Sequence, residues 1–218
     1  MPDQRGKLLV AVLGFILTVV PSAPSVSAAS LTGDVFVTLQ SGDVRRAADV
    51  DVLLVPATPE FEAEWERLQS EYEDRVAPLA TEYDSLKMQA DALRQQQTAM
   101  SGNPRAAIQI GNQIIGILNQ QMDLGKTRWR PLQEEYTRRA MRLLAQRATA
   151  RTPTDVNGRF ETSASEGRYY IFCRYQLPRE TLYWVLPTQL QDATSTKVSL
   201  SNRSALRSPL RGRTYTNF

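Results

Sequence analysis

Residues 86–122 read LKMQADALRQQQTAMSGNPRAAIQIGNQIIGILNQQM, and their pattern decides the fold. Large apolar residues recur every seventh position on both sides of Pro104. Trp65, Tyr72, Leu79, Leu86, Leu93 and Met100 precede it; Ile108, Ile115, Met122, Trp129, Tyr136 and Leu143 follow it. A heptad repeat places one side chain per two helical turns on a single seam. Two such seams, joined by the short break Ser101-Gly102-Asn103-Pro104, describe a long antiparallel coiled-coil hairpin. Second lines run beside them: Val76, Tyr83, Ala90 and Gln97 on the first arm, Gly111, Leu118, Gly125 and Leu132 on the second.

Pairing the arms about Pro104 brings Met100 near Ile108, Leu86 near Met122, and Leu79 near Trp129. Tyr83 then faces Gly125, large against small, as close packing requires. Arms of about 40 residues reach roughly 60 Å at 1.5 Å per residue. Pro78 and Pro131 interrupt the arms at nearly matching heights. A mid-helix proline removes a hydrogen bond and bends or breaks the helix, so a shared kink or break is expected there.

Strand-like sequence flanks the hairpin on both sides. LTGDVFVTLQ from Leu31 and DVDVLLVPA ending at Ala57 read as two strands, with Gly42-Asp43 as a turn signal. After Thr152, Asp155-Val156-Asn157-Gly158 reads as a turn. RFET, GRYYIFCRY, TLYWVLPTQL and TKVSLSN follow as short β-branched and aromatic runs. Neither group can bury a core alone. The fold class is therefore α+β: a small antiparallel β-sandwich interrupted by the hairpin. The divisions are 29–59 for the first half of the sandwich, 60–150 for the insertion, 151–201 for the second half, and 202–218 for a tail. Arg203, Arg207, Arg211 and Arg213 make that tail basic, and a solvated, flexible segment is expected.

Residues 1–28 read as a signal peptide. Arg5 and Lys7 precede the apolar run Leu8 to Val20, and Val26-Ser27-Ala28 fits the small-residue cleavage rule. Export to the periplasm or the extracellular space follows, with a mature chain that does not span a membrane. The 218 residues carry 26 Lys and Arg against 23 Asp and Glu, a balance too even for a nucleic-acid binder. There is one cysteine, Cys173, so no internal disulfide can form; in a strand it reads as a small buried hydrophobe. There is no histidine, which excludes Ser-His-Asp and Cys-His nucleophile pairs and the usual zinc sites.

Joined across the insertion, the β pieces resemble the carboxypeptidase regulatory-like, or transthyretin-like, sandwich domain. LTGDVFV matches its opening strand and VDVLLVPA its second. TPTDVNGRFET matches its Thr-Asp-x-x-Gly-x-Phe turn and strand, and EGRYYIFCRY its Gly-x-Tyr-Tyr strand. The long helical insertion departs from the simple family pattern. The resemblance implies an accessory, adhesive or structural module of exported proteins and carries over no active-site residue.

Each cluster with chemical potential has a structural reading. Asp155 and Asn157 before Gly158 lack the further ligands and closing Glu of a calcium loop, and serve the turn. Asp43, Asp49 and Asp51 could gather at a sandwich edge around a cation. Glu60, Glu62, Glu64 and Glu66 suit the positive start of the first helix. Arg138, Arg139, Arg142 and Arg147 are expected to form ion pairs across the hairpin with that acidic stretch. Asn202-Arg203-Ser204 is a glycosylation acceptor sequence in a eukaryotic source. Trp65, Tyr72, Trp129 and Tyr136 belong to the seam. No catalytic, cofactor-binding or metal-ligating residue is assigned. The expected function is a non-catalytic binding or scaffold protein whose hairpin engages another exported protein or a second copy. A periplasmic adaptor of envelope transport ranks below it, for want of the extra β-domains such adaptors carry, and a carboxylate-dependent hydrolase lower still.

Overall fold

The computed structural model describes residues 28–215 apart from positions 40, 101, 179 and 193, so the expected signal segment lies almost wholly outside the described residues. Strands β1 (Ala29–Thr38), β2 (Val44–Arg46) and β3 (Asp51–Pro56) come first. Helices α1 (Pro59–Ala99) and α2 (Pro104–Asp123), a π-helical segment (Leu124–Trp129) and α3 (Arg130–Arg147) follow. Strands β4 (Ala150–Pro153), β5 (Arg159–Ala164), β6 (Gly167–Gln176), β7 (Thr181–Leu190) and β8 (Ser195–Leu200) complete the order. The class is α+β, with the helices inserted between β3 and β4.

Two four-stranded sheets face each other. In one, β1 pairs antiparallel with β2 and β5 and parallel with β8. The other runs β4-β3-β6-β7, antiparallel throughout. The parallel β1–β8 pair departs from the antiparallel expectation. The chain reaches β8 by crossing over from β7 in the other sheet, so no hairpin turn sets its direction. Period-two alternation drives Leu31, Val35 and Val37 of β1 inward against Val52, Leu54, Ile171, Cys173 and Trp184. Gly158 closes the turn into β5 at φ +72, and a Cβ there would meet the Val35 carbonyl oxygen at 2.5 Å. Both restrictions call for glycine.

The second sheet is buried on its outer face too, which explains the unbroken apolar run Val52 to Val55. Leu53, Val55, Phe172 and Tyr183 pack there against Phe61, Leu68, Ala140 and Leu144. The base of the hairpin is thus a third layer rather than a free projection. Helix α1 starts cleanly: the Thr58 hydroxyl accepts from the Phe61 N–H at 3.2 Å, and Pro59 occupies the first turn.

The two prolines act differently from the shared kink expected of them. Helix α1 runs unbroken through Pro78. Ala77 and Pro78 are exposed, as is Asp74, so water can satisfy the carbonyl that the ring frees. The second arm does yield, as the π-helical turn just before Pro131. There the Arg130 N–H donates to the Gly125 carbonyl, and Pro131 enters the first turn of α3, where its missing N–H costs nothing.

Candidate functional site

A π-helical turn carries one residue more than an α-helical turn, so it shifts the seam by one position. Below the turn, Trp129, Tyr136 and Leu143 are buried as the heptad predicts. Above it, the line that would continue through Met122, Ile115 and Ile108 comes out on the flank. Ile108 is 63% exposed, Ile115 57% and Met122 46%. Their seam places go to the residues one earlier: Ile114 is buried, and Ala107 and Gln121 are half-buried.

Polar links join the distal arms beside the buried Ala90 and Ile114. The Gln97 side-chain amide donates to the Ala107 carbonyl at 3.1 Å, and that of Gln121 to the Tyr83 carbonyl at 3.4 Å. The expected contacts of Met100 with Ile108 and of Leu86 with Met122 give way to this arrangement. Helix α2 also carries no charged residue between Arg105 and Asp123. Its flank is a neutral ridge of Ile108, Ile115, Leu118 and Met122 set among Gln and Asn. Met88 and Met100 on α1 are exposed as well.

The hairpin base contrasts with this tip. Tyr72 meets Tyr136 at 5.6 Å between ring centroids, and Tyr83 meets the Trp129 edge at 5.8 Å. The sequence paired Tyr83 with Gly125, but the ring lying over Gly125 is that of Tyr215. A Cβ on Gly125 would stand 2.1 Å from it.

Tyr215 belongs to the segment expected to be a flexible tail, and the structure corrects that expectation. Leu210 is buried against the hairpin base. The fully buried Gln69 side chain donates to the Pro209 carbonyl and accepts from the Arg211 N–H. Tyr72 donates its hydroxyl to the Arg213 carbonyl at 2.9 Å, and the Tyr215 N–H reaches Gln133 at 2.7 Å. Arg211 pairs with Glu66, and Arg213 holds both oxygens of Asp84. The hydrogen bonds from Arg213, with its charge, keep the Asp84 carboxyl below the usual range. Arg207, Arg211 and Arg213 lack acidic neighbours in sequence and find them across the fold, in Glu180, Glu66 and Asp84.

The other candidate clusters resolve as follows. Asp155 accepts from the Asn157 and Arg159 N–H groups at 2.8 Å each, forming an Asx turn. Asp43 bonds Ser41 and Asp51 pairs with Arg151, while Asp49 stands at φ 56. Among the described residues no three metal-capable side chains gather. Glu62 pairs with Arg168, Glu64 with Arg147, and Glu66 with the tail. Of the four arginines expected to bridge the hairpin, Arg139 pairs with Glu71 at 2.6 Å and Arg147 with Glu64 at 2.9 Å. Arg138 and Arg142 make no ion pair among the described residues and line a separate cleft. Asn202 uses its side chain on the Thr38 backbone. Cys173 is buried, and desolvation pushes its thiol up to about 12.

No family model and no curated protein matches the chain. The solved structures similar to it include the following three. One is a Pseudomonas aeruginosa protein for which carbohydrate binding has been proposed, 15% identical over 83% of this chain and 92% of that one, with a TM-score of 0.36. The minor pilin of Streptococcus agalactiae is 7% identical over 86% of this chain and 48% of its own, with a TM-score of 0.33. The major pilin of Streptococcus pneumoniae is 13% identical over 80% of this chain and 30% of its own, with a TM-score of 0.27. The chain thus spans about half of the first pilin and under a third of the second. Among the described residues no helix is long and apolar enough to cross a membrane.

Proposed function

We propose that this is an exported, non-catalytic scaffold protein that engages a protein partner through the distal half of its hairpin. The sandwich, read as transthyretin-like from its strand and turn sequences, is the base that positions the arm. The observation that carries the reading is the neutral apolar ridge of Ile108, Ile115, Leu118 and Met122. A surface ridge of this kind is costly to leave in water and is a usual mark of an interaction site. Each large side chain buried there contributes up to about 1.5–3 kcal/mol.

A second copy of the chain fits the ridge without a further assumption. Two-fold contacts place a patch against itself, so a charged patch repels its twin and a neutral one does not. The lack of histidine in the chain supports the non-catalytic part of the reading.

A photo-activated cross-linker placed at position 115 of the full chain, in cells, tests the proposal, with position 161 on the sandwich as control. An adduct from 115 and none from 161 is expected, and its mass distinguishes a second copy from another protein. Failure of position 115 to form an adduct overturns the hairpin as the binding element. Hydrolase activity that survives repurification overturns the non-catalytic assignment.

A further inference from the structure

Two neighbouring cavities, of about 840 and 690 Å³, lie between α3 and the outer face of the second sheet. Met141 and Arg174 line both, so they form one continuous cleft. Its floor is apolar, made by Leu53 and Phe172 of the sheet with Met141 and Ala145 of α3. Its middle is cationic: Arg138 and Arg142 come from α3 and Arg174 from β6. None of these three arginines has an acidic partner among the described residues; Arg174 reaches only the Gln176 amide oxygen, at 3.4 Å. The other charges of the lining are accounted for. Arg151 is matched by Asp51 and Arg207 by Glu180; Asp49 lines only the other half of the cleft, and Glu134 stands one helical turn before Arg138 without pairing with it.

We infer that this cleft binds an extended peptide segment of a partner, with acidic side chains at alternate positions. Three features select that ligand. Planar guanidinium groups match carboxylates through paired hydrogen bonds. Arg138 and Arg142, four residues apart on α3, are spaced by about 6 Å along the helix axis. An extended chain presents every second side chain at about 6.6 Å, so two successive carboxylates meet the two guanidiniums in register. The residues between them point to the opposite side, onto Phe172 and Met141. The cleft follows α3 from Gln133 to Ala148, roughly 22 Å, which takes six or seven extended residues. A phosphate site would draw on backbone N–H groups at a helix N-terminus. Here the arginines occupy the middle and later turns of α3, and only side chains face the ligand.

The test is fluorescence anisotropy of the full chain with the labelled peptide Glu-Val-Glu-Val-Glu-Val. Saturable binding that weakens with salt is expected. The doubly substituted R138Q/R142Q chain should bind at least tenfold more weakly. Arg174→Gln, on a different element, should weaken binding as well and guards against a local defect in α3. Arg105→Gln at the hairpin tip should leave binding unchanged. The proposal is overturned by absent saturation, by equal binding of Gln-Val-Gln-Val-Gln-Val, or by arginine variants that bind normally. Tighter binding of oligogalacturonate than of the peptide also overturns it, in favour of an acidic glycan.

Discussion

Met122 and Trp129 stand one heptad apart on the same arm, yet Met122 is 46% exposed and Trp129 2%. The π-helical turn between them supplies the extra residue that puts them out of phase. It converts what would be a uniform seam into a buried base and an exposed tip. Such turns recur at functional sites because they cost hydrogen-bond quality and persist only where the altered phase is useful.

Deleting Thr127 from the π-helical turn should leave a plain α-helix with the exposed ridge unchanged, because Gln121 then stands one heptad from Trp129 and Met122 stays off the seam. A cysteine at position 122 reads this directly, because Cys173 is buried and its thiol is held neutral. Maleimide should label Met122→Cys as rapidly in the deletion as in the parent chain. Labelling at least tenfold slower in the deletion would mean that the turn does not set the phase.

Most of the fold is legible in the sequence, and its failures have physical causes. The hairpin, its tip and six of the eight strands follow from periodicity and turn residues. β2 and β4, of three and four residues, are too short for an alternation to show. The seam was misread above Leu124 because Ile108, Ile115 and Met122 are bulkier than Ala107 and Gln121, whose line runs one position earlier. Gly125 and Pro131, close together on the second arm, were the visible signal of a local register change. Arg138 and Arg142 could not be separated from Arg139 and Arg147 without knowing which face of α3 meets α1. The tail was opaque because its partners, Gln69, Asp84, Gly125 and Gln133, are all remote in sequence.

Truncation after Leu206 should destabilise the fold rather than leave it untouched. It removes the buried Leu210 and leaves the fully buried Gln69 amide without its two backbone partners. An apolar side chain of that size contributes about 1.5–3 kcal/mol, and an orphaned buried polar group costs about 1–3 kcal/mol. A loss of about 3 kcal/mol or more is expected by urea unfolding. A midpoint unchanged from the parent would mean that the docked segment contributes nothing.

Gly125→Ala isolates the last contact of the tail. The new Cβ falls inside the van der Waals radius of the Tyr215 ring, so the ring must leave. Alanine favours helix more than glycine by up to about 1 kcal/mol, which supports the second arm itself. Helix content should therefore hold while the Tyr215 ring resonances shift to solvent-exposed values in NMR spectra. Unchanged Tyr215 resonances would contradict the contact.

The Arg213–Asp84 pair predicts how docking responds to pH. Asp84 titrates below its ordinary value when Arg213 holds it, chiefly through hydrogen bonds and then through charge. A lowered carboxyl value stabilises the docked state above the free value and loses that contribution as pH falls through the bound value. Docking should therefore be level from about pH 8 to 5 and weaken only below about 4, near the unperturbed aspartate value. Both groups are about half exposed, so salt should diminish the contribution. Tyr215 NMR shifts followed from pH 7 to 3 check this, with Asp84→Asn as control. The control should show looser docking at neutral pH and a smaller acid transition; an identical transition would assign it to another carboxylate.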